Sequence, residues 1–225
     1  MKSGPAPARG RQKRAPAAGK PDRAAAGRPA GTPKSERTRQ LLIRAAICSL
    51  ADFGFAETTM SRIATLAGVS AGHRQYHFPD PLDLFRAVVD TIHERWRRAT
   101  TEALEARGPV RARVEALFEL SFANIGTPDH MAMLELKMAM RGRPDLKRAI
   151  GPSIRAYEAE ADEFCLKVFA DTGLGSADLL AIRAIHSAVL RGLAIEQIDA
   201  PREIPRERIR DLFTAMALSR AGRRK

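Results

Sequence analysis

TTMSRIATLAGVSAGHRQYHF, residues 58–78, contains two short helical patterns on either side of a tight turn. In its first half, small or apolar residues recur at helical spacing: Met60, Ile63, Ala64 and Ala67. Gly68 follows where a left-handed residue commonly ends a helix, and Ser70 can cap a second helix over residues 71–77. We therefore predict a helix, a turn and a second helix in this stretch.

The second of these helices is too polar to be buried. Five successive residues in it carry large polar side chains: His73, Arg74, Gln75, Tyr76 and His77. A packed helix could not satisfy so many polar groups, whereas a helix facing solvent can. A packed helix, a glycine-containing turn and a polar helix form the pattern of a helix-turn-helix, whose second helix enters the major groove of DNA.

The motif supplies ten candidate DNA contacts: Thr59, Ser61, Arg62, Ser70, Ala71, Gly72, His73, Gln75, Tyr76 and His77. Gln75 can bond adenine bidentately, His73 can reach base edges or phosphates, and Ala71 can contact a thymine methyl group. Tyr76 and His77 are better suited to phosphates, which position a protein without reading sequence. The alternative is that one or two of these side chains only cap a helix, pack or face water.

The positive charge of the chain is concentrated at its two ends. The 225 residues carry a net charge of +12. Residues 1–34 hold nine basic side chains and one acidic one, and residues 220–225 hold four basic and no acidic ones, so the rest is neutral. Because residues 1–34 are rich in Ala, Pro and Gly, we predict a disordered basic tail. Such a tail attracts any phosphate, and serves either to solubilise the protein or to add affinity for DNA.

Other features exclude several classes of protein. Two cysteines, Cys48 and Cys165, give neither a disulfide framework nor a thiolate metal knuckle. No apolar run reaches the roughly 20 residues of a membrane helix, and the first residues lack an apolar stretch for export. We therefore expect a cytoplasmic protein with no membrane partner. His73 and His77 have the spacing of helical zinc ligands but no third ligand nearby, and catalytic motifs are absent. We expect no metal, no cofactor and no enzyme activity.

The remaining sequence predicts helices throughout, with no strand pattern of useful length. We predict an all-α protein of about nine or ten helices. The first helix covers residues 35–53 and ends at Gly54 in a left-handed conformation, and Gly151-Pro152 should break or kink a helix that begins at Pro144. The predicted units are a tail over 1–34, a three-helix DNA-binding head over 35–80, a helical body over 81–220 and a second tail over 221–225.

The body contains a candidate dimer interface and a candidate pocket. A helix over residues 176–198 is apolar on nearly every side, so a partner subunit should cover part of it. Its candidate interface residues are Leu179, Ile182, His186, Val189 and Leu193. Methionine and aromatic side chains can line an adaptable apolar pocket. Its candidate residues are Phe118, Phe122, Met131, Leu134, Met138, Phe164 and His186. The alternative for each is ordinary core packing.

Residues 42–85 resemble the DNA-binding domain of the tetracycline-repressor (TetR) family of transcriptional regulators. The resemblance is carried by Ala45-Ala46, Gly54-Phe55, Thr58-Thr59, Ile63-Ala64, Ala67-Gly68-Val69-Ser70, Gly72 and Tyr76-His77-Phe78. It implies a homodimer that places the third helix of each subunit in the major groove at one half of a near-palindromic operator. It also implies a body that dimerises and binds a small molecule, which releases the DNA. The first hypothesis is therefore a repressor.

Two positions depart from the family pattern. Most members have an apolar residue at the position of Arg74, and a Lys or Arg that contacts phosphate at the position of Pro81. An arginine at the first position must either extend outwards or turn toward phosphate. These departures favour keeping a second hypothesis, a helical interaction protein that binds nucleic acid non-specifically through its basic tails.

Overall fold

The computed structural model describes Met1, Gly4 and residues 32–105, 108–199 and 205–221. The predicted tails, 1–34 and 221–225, lie almost entirely outside these residues. Within them, the all-α prediction is confirmed, because every regular element is a helix and none is a strand. The helices are α1 Pro33–Glu57, α2 Met60–Ala67, α3 Ala71–His77, α4 Pro81–Glu105, α5 Val110–Asn124, α6 Pro128–Ala139, α7 Pro144–Val168, a 3-10 turn Ala170–Thr172, α8 Ser176–Asp199 and α9 Arg206–Ala221.

The first helix changes direction at Gly54. This residue has φ 75° and ψ 174°, so its φ is positive as predicted, but its ψ lies outside the left-handed helical region. The next three residues, 55–57, are helical, whereas the sequence predicted that the helix ends at Gly54. The reason is a contact from the body, because the backbone N–H of Phe55 donates to Oε2 of Glu135 on α6 at 2.9 Å. We call this bend, Gly54 with Phe55, the α1 bend.

The helix-turn-helix forms as the sequence predicts. Thr59 caps α2, and Gly68 takes the left-handed conformation with φ 63° and ψ 32°. The N–H of Gly68 bonds the carbonyl of Thr65 and that of Val69 bonds the carbonyl of Ala64, which together make a Schellman motif. The hydroxyl of Ser70 then accepts from the N–H of His73 and starts α3.

Two hydrophobic cores divide the described chain. The first joins α1, Ile63 of α2 and Phe78 to α4, α6 and the first half of α7. The second joins α5, the end of α7, α8 and Phe213 of α9. The head therefore does not have a core of its own, because its apolar residues share one core with three helices of the body.

The seventh helix runs without interruption through Gly151-Pro152, so of the predicted break or kink the break is wrong. Proline removes one backbone hydrogen bond and usually disrupts a helix interior. Here Ile150, Gly151 and Ile154 are all buried, on both sides of the proline, while Pro152 itself is exposed. Packing against the first core therefore holds the helix together across the missing bond. None of the described helices is long and apolar enough to cross a membrane.

Candidate nucleic-acid interface and effector cavity

The third helix is presented to solvent along its whole length. None of its residues is buried, and five of the predicted contacts are exposed: Ala71, Gly72, His73, Gln75 and Tyr76. Tyr76 is 74 % exposed. The ring of half-buried His77 packs edge-on against that of Tyr76, with ring centres 5.2 Å apart. A helix with these exposed side chains, supported by packed neighbouring helices, can bind a macromolecule.

Ser70 and His73 are joined at the start of α3. Oγ of Ser70 lies 2.8 Å from Nδ1 of His73, and the same hydroxyl accepts from the backbone N–H of His73 at 3.3 Å. The imidazole is therefore anchored above the first turn of the helix. Both residues, predicted as DNA contacts, are exposed there, so their remaining hydrogen-bonding capacity faces solvent.

The side chain of Gln75 is already occupied within the protein. Its Oε1 accepts from Nη1 of Arg74 at 2.7 Å, and its Nε2 donates to the carbonyl of Pro79 at 3.4 Å. Arg74 itself is half-buried. Its buried Nε has no partner among the described residues. Bidentate reading of adenine by Gln75 therefore needs both of these hydrogen bonds to open.

At the start of α2, the predicted DNA contacts differ in their solvent exposure and in the hydrogen bonds they make within the protein. Thr59 and Ser61 are exposed, and Oγ1 of Thr59 accepts from the N–H of Arg62 at 3.2 Å. Arg62 is half-buried, since its guanidinium donates to the carbonyl of Glu57 and lies 4.6 Å from the ring centre of Phe53. Arg62 thus stabilises the segment just before α2, and fewer of its guanidinium donors remain for a phosphate contact.

The structure adds one basic residue that sequence reasoning did not select. The guanidinium of Arg39 on α1 lies 5.3 Å from the ring centre of Phe78, directly after the end of α3. Arg39 has no acidic partner among the described residues. Its position depends on how α1 crosses α3, and no local pattern in the sequence reports that crossing.

Comparison with known proteins identifies the family. Residues 42–88 match the model of the bacterial regulatory proteins, tetR family. The chain is 24 % identical over 187 residues to the HTH-type transcriptional regulator CymR of Pseudomonas putida, covering 83 % of this chain and 92 % of CymR. Residues 42–88 therefore form a TetR-family DNA-binding domain. Members of this family are DNA-binding transcription factors and not enzymes.

Solved structures share the fold of this chain. One is NalD, the secondary repressor of the MexAB-OprM multidrug efflux pump in Pseudomonas aeruginosa, with a TM-score of 0.58 and 21 % identity, covering 84 % of this chain and 96 % of NalD. Another is the multidrug binding protein EbrR complexed with malachite green, with a TM-score of 0.55 and 22 % identity, covering 81 % and 96 %. At these identities the likeness is one of fold.

The body of the chain contains a cavity of about 710 Å³ between α4, α5, α6, α7 and α8. Of the pocket residues predicted from sequence, Leu134, Phe164 and His186 line it. Phe118 lines a smaller cavity of about 60 Å³ beside it, which also reaches His186. The other three candidates lie elsewhere: Phe122 is buried in the second core, Met131 is half-buried outside both cavities, and Met138 is exposed.

Of the polar groups of this cavity, the sequence predicted only His186. Three buried nitrogens at its wall lack hydrogen-bond partners among the described residues: Trp96 Nε1, His130 Nδ1 and His186 Nε2. Burial, followed by the charge of Arg183, lowers the pKa of His186 to about 4, so its imidazole is neutral near pH 7. Burial also raises the pKa of Tyr157, on the same wall, to about 12. The cavity thus offers uncharged polar groups that are ready to pair.

The eighth helix has one buried and one exposed face. Among the predicted interface residues, Leu179 and His186 are buried inside the chain, and Ile182 and Leu193 pack against the second core, while Val189 is half-buried. The exposed face carries small and apolar residues at helical spacing: Ala181, Ala184, Ile185, Ala188, Gly192 and Ile195. A surface of this kind is unusual on a monomer.

Proposed function

We propose that this chain is a homodimeric repressor that binds a near-palindromic operator in the cytoplasm and is released from it by a small-molecule ligand. The observation that carries the proposal is the third helix, which has no buried residue and five exposed ones on a packed helix-turn-helix. Its polar side chains and the adjacent Arg39 form a surface that suits one major groove with its flanking phosphates. The name of NalD as a repressor supports the direction of regulation.

The exposed face of α8 supports the dimer. Ile185 and Ile195 are 47 % and 53 % exposed, and Ala181, Ala188 and Gly192 lie between or beside them at helical spacing. Small residues let two helices approach closely, and isoleucines bury the most apolar area when they do. We therefore assign the interface to this face of α8. The residues selected from the sequence lie behind it and hold the helix in place.

The sixth helix supports a link between cavity and head. His130 and Leu134 of α6 line the cavity, and Met133 both lines it and belongs to the first core. The carboxylate of Glu135, on the same helix, bonds the α1 bend. A ligand that shifts α6 would therefore also shift the frame of the helix-turn-helix. The complex of EbrR with malachite green supports a ligand in such a body.

Selection of binding sites from a random duplex pool tests the proposal. We expect the full-length protein to enrich an inverted repeat whose half-sites are about one helical turn apart or a multiple of it. Replacing Tyr76 and Gln75 together by alanine should abolish the enrichment, while the matched replacement of exposed Glu163 and Lys167 on α7 by alanine should not. If the protein shifts DNA but enriches no repeat, the basic tails bind and the head does not read sequence.

A further inference from the structure

We propose that the cavity takes a monoanionic organic acid with a largely apolar body, whose carboxylate is held by Arg191 and Trp96. The proposal rests on the cavity being the ligand site of the proposed function. It adds the chemical class of the ligand, which follows from the charges and hydrogen-bond donors of the lining residues.

The first step is the charge balance of the wall. Five basic side chains line the cavity within the described residues, and four of them have acidic partners. The pairs are Arg95 with Asp129 at 2.8 Å, Arg97 with Glu160 at 2.7 Å, Lys137 with Glu158 at 3.3 Å, and Arg183 with Glu158 at 3.1 Å and with Asp162. Although burial opposes it, the charges of Lys137 and Arg183 hold the pKa of Glu158 below its usual range. These pairs are therefore ionised and balanced near pH 7.

Arg191 is the fifth basic residue, and it differs from the others. It lies on α8, is half-buried and lines the cavity, yet it has no acidic partner among the described residues. A guanidinium has five N–H donors in a planar fork that matches a carboxylate bidentately. One uncompensated cation in a partly enclosed cavity favours a ligand with one negative charge.

Two further polar side chains line the same cavity, Trp96 and His130. The indole Nε1 of Trp96 can only donate, and it is buried without an acceptor among the described residues. The ring of His130 packs edge-on against Trp96, with ring centres 6.3 Å apart. Burial lowers the pKa of His130, a backbone hydrogen bond with Asn124 opposes this, and the charge of Arg191 lowers it further, so Arg191 lies within electrostatic reach of His130. A carboxylate bound in this part of the cavity supplies the acceptor that Trp96 Nε1 lacks.

The rest of the wall sets the body of the ligand. It is formed largely by apolar side chains: Leu104, Leu117, Leu120, Leu134, Phe164 and Phe169. A volume of about 710 Å³ falls within the range of pockets for drug-sized ligands. The ligand is therefore apolar or aromatic over most of its surface, with its acidic group at one end.

The single tryptophan of the chain gives a direct readout. Because Trp96 is the only tryptophan and lines the cavity, its fluorescence reports binding without any DNA. The probes are ω-phenylalkanoic acids with chains of one to eight methylene groups, each with its matched amide and amine, and calorimetry gives the same affinities independently. We expect the best acid to bind at least tenfold more tightly than its amide, and its amine to bind most weakly.

Variants assign the effect to one side chain. Arg191→Met should reduce affinity for the acid at least tenfold and leave affinity for the amide unchanged, and Arg191→Glu should reverse the preference in favour of the amine. Arg148→Met, which removes an exposed charge on α7 outside the cavity, is the matched control and should change neither affinity. Circular dichroism checks that each variant is folded.

Three outcomes would overturn the proposal: equal binding of acid and amide, tighter binding of the amine, or no binding by any acid of the series. A loss of affinity for acid and amide alike in Arg191→Met would also overturn it, because the arginine would then only shape the cavity. Failure of the proposed function appears elsewhere, as the absence of an inverted repeat in the duplex selection.

Discussion

Two glycines of the head are required for different reasons. Gly54 at the α1 bend has a positive φ, and a Cβ added there would lie 3.3 Å from Oε2 of Glu135. Gly72 lies in α3 with ordinary helical geometry, and a Cβ there would meet nothing within 4 Å. The fold therefore needs Gly54, whereas nothing inside the chain requires Gly72.

We predict opposite effects of alanine at these two positions. Gly54→Ala should lower the free energy of unfolding by about 2 kcal/mol, because its backbone conformation strains any other residue. Gly72→Ala should leave stability unchanged or raise it by up to about 1 kcal/mol, because alanine favours helix. Urea denaturation measures both. Gly72→Ala should still weaken operator binding at least tenfold, since its methyl group projects from the face of α3 that we assign to DNA. Unchanged affinity would remove Gly72 from that surface.

Gln75 and Tyr76 should differ in what they contribute to DNA binding. Gln75→Ala should relax the preference at one base pair, with a loss of about 1–3 kcal/mol of discrimination there. Tyr76→Ala should weaken binding to all duplexes alike, as expected for a phosphate contact. Affinities for the selected site and for single-base variants measure both effects. If Gln75→Ala weakens cognate and random duplexes equally, Gln75 serves to hold Arg74 and Pro79 in place.

Single residues were predicted well where the physics is local. Thr59, Gly68 and Ser70 cap or end helices by bonding backbone groups two to five residues away, and the sequence shows those partners directly. The pairing of Arg74 with Gln75 was missed although the two are neighbours, because a side-chain rotamer decided it. The contact of Arg39 with Phe78 was missed because it joins distant parts of the chain.

At the level of elements, α6 is the helix that connects cavity and head. Its carboxylate Glu135 accepts from Phe55 at 2.9 Å, where α1 changes direction just before the helix-turn-helix. Beside this bond, the hydroxyl of Thr58 donates to the carbonyl of Gly54 at 2.7 Å and pairs with buried Ser49 at 3.0 Å. The start of α2 is therefore fixed by polar contacts that depend on the position of α6.

We predict that Glu135→Ala lowers the free energy of unfolding by about 1–2 kcal/mol, because the N–H of Phe55 loses its partner in a partly buried site. Glu135→Gln keeps a carbonyl oxygen that can accept the same bond and should cost less than half as much. Urea denaturation gives both values. If Gln and Ala are equally costly, the negative charge of Glu135 matters and the hydrogen bond does not.

Helix bounds and helix functions were not equally predictable. The bounds of α3 and the end of α2 follow from local periodicity and caps, and the sequence located them within about one residue. The cavity could not be located in this way, because its wall combines single side chains from five helices. Trp96 and Tyr157 read as members of apolar stripes, and only the packing of α4 against α7 brings them to a common wall.

For the whole molecule, assembly should depend on the exposed face of α8. We predict that Ala188→Arg converts a dimer into a monomer or raises its dissociation constant at least tenfold, since a long charged side chain blocks close approach of two helices. Ala112→Arg on the exposed side of α5 is the matched control and should remain dimeric. Sedimentation at several protein concentrations distinguishes the two. A dimeric Ala188→Arg variant would exclude this face as the interface.

Stability of the whole chain should fall in mild acid. Burial, the largest cause in each case, lowers the pKa values of His93 and His186 to about 4. The unfolded chain has pKa values near 6.5 for these groups and so binds more protons between pH 6.5 and pH 4. The free energy of unfolding therefore has its full value above pH 6.5 and decreases as the pH falls toward 4.

We expect each of these histidines to contribute a loss of up to about 2 kcal/mol between pH 7.5 and pH 5. His186→Phe should reduce the total loss, because it removes one titrating group and keeps the aromatic packing on Phe118 and Phe213. Phe213→Leu disturbs the same cluster without removing a titrating group, and should lower stability equally at both pH values. Urea denaturation at the two pH values provides the comparison. A His186→Phe variant with the full pH dependence would contradict the assignment.

The first core has a practical consequence for engineered sensors. One way to exchange a DNA-reading module between related regulators is to cut the chain where the sequence motif ends. In this chain Ile63 and Phe78 share one core with α1, with Leu84 and Val88 of α4 and with the buried side of α6. Such a cut would remove them from their α4 and α6 partners. A hybrid regulator built from it should therefore carry its own α4 and α6 surfaces along with the transplanted reader. Hybrids that keep these α4 and α6 surfaces together with the transplanted DNA-binding head should retain both the fold and the response to ligand.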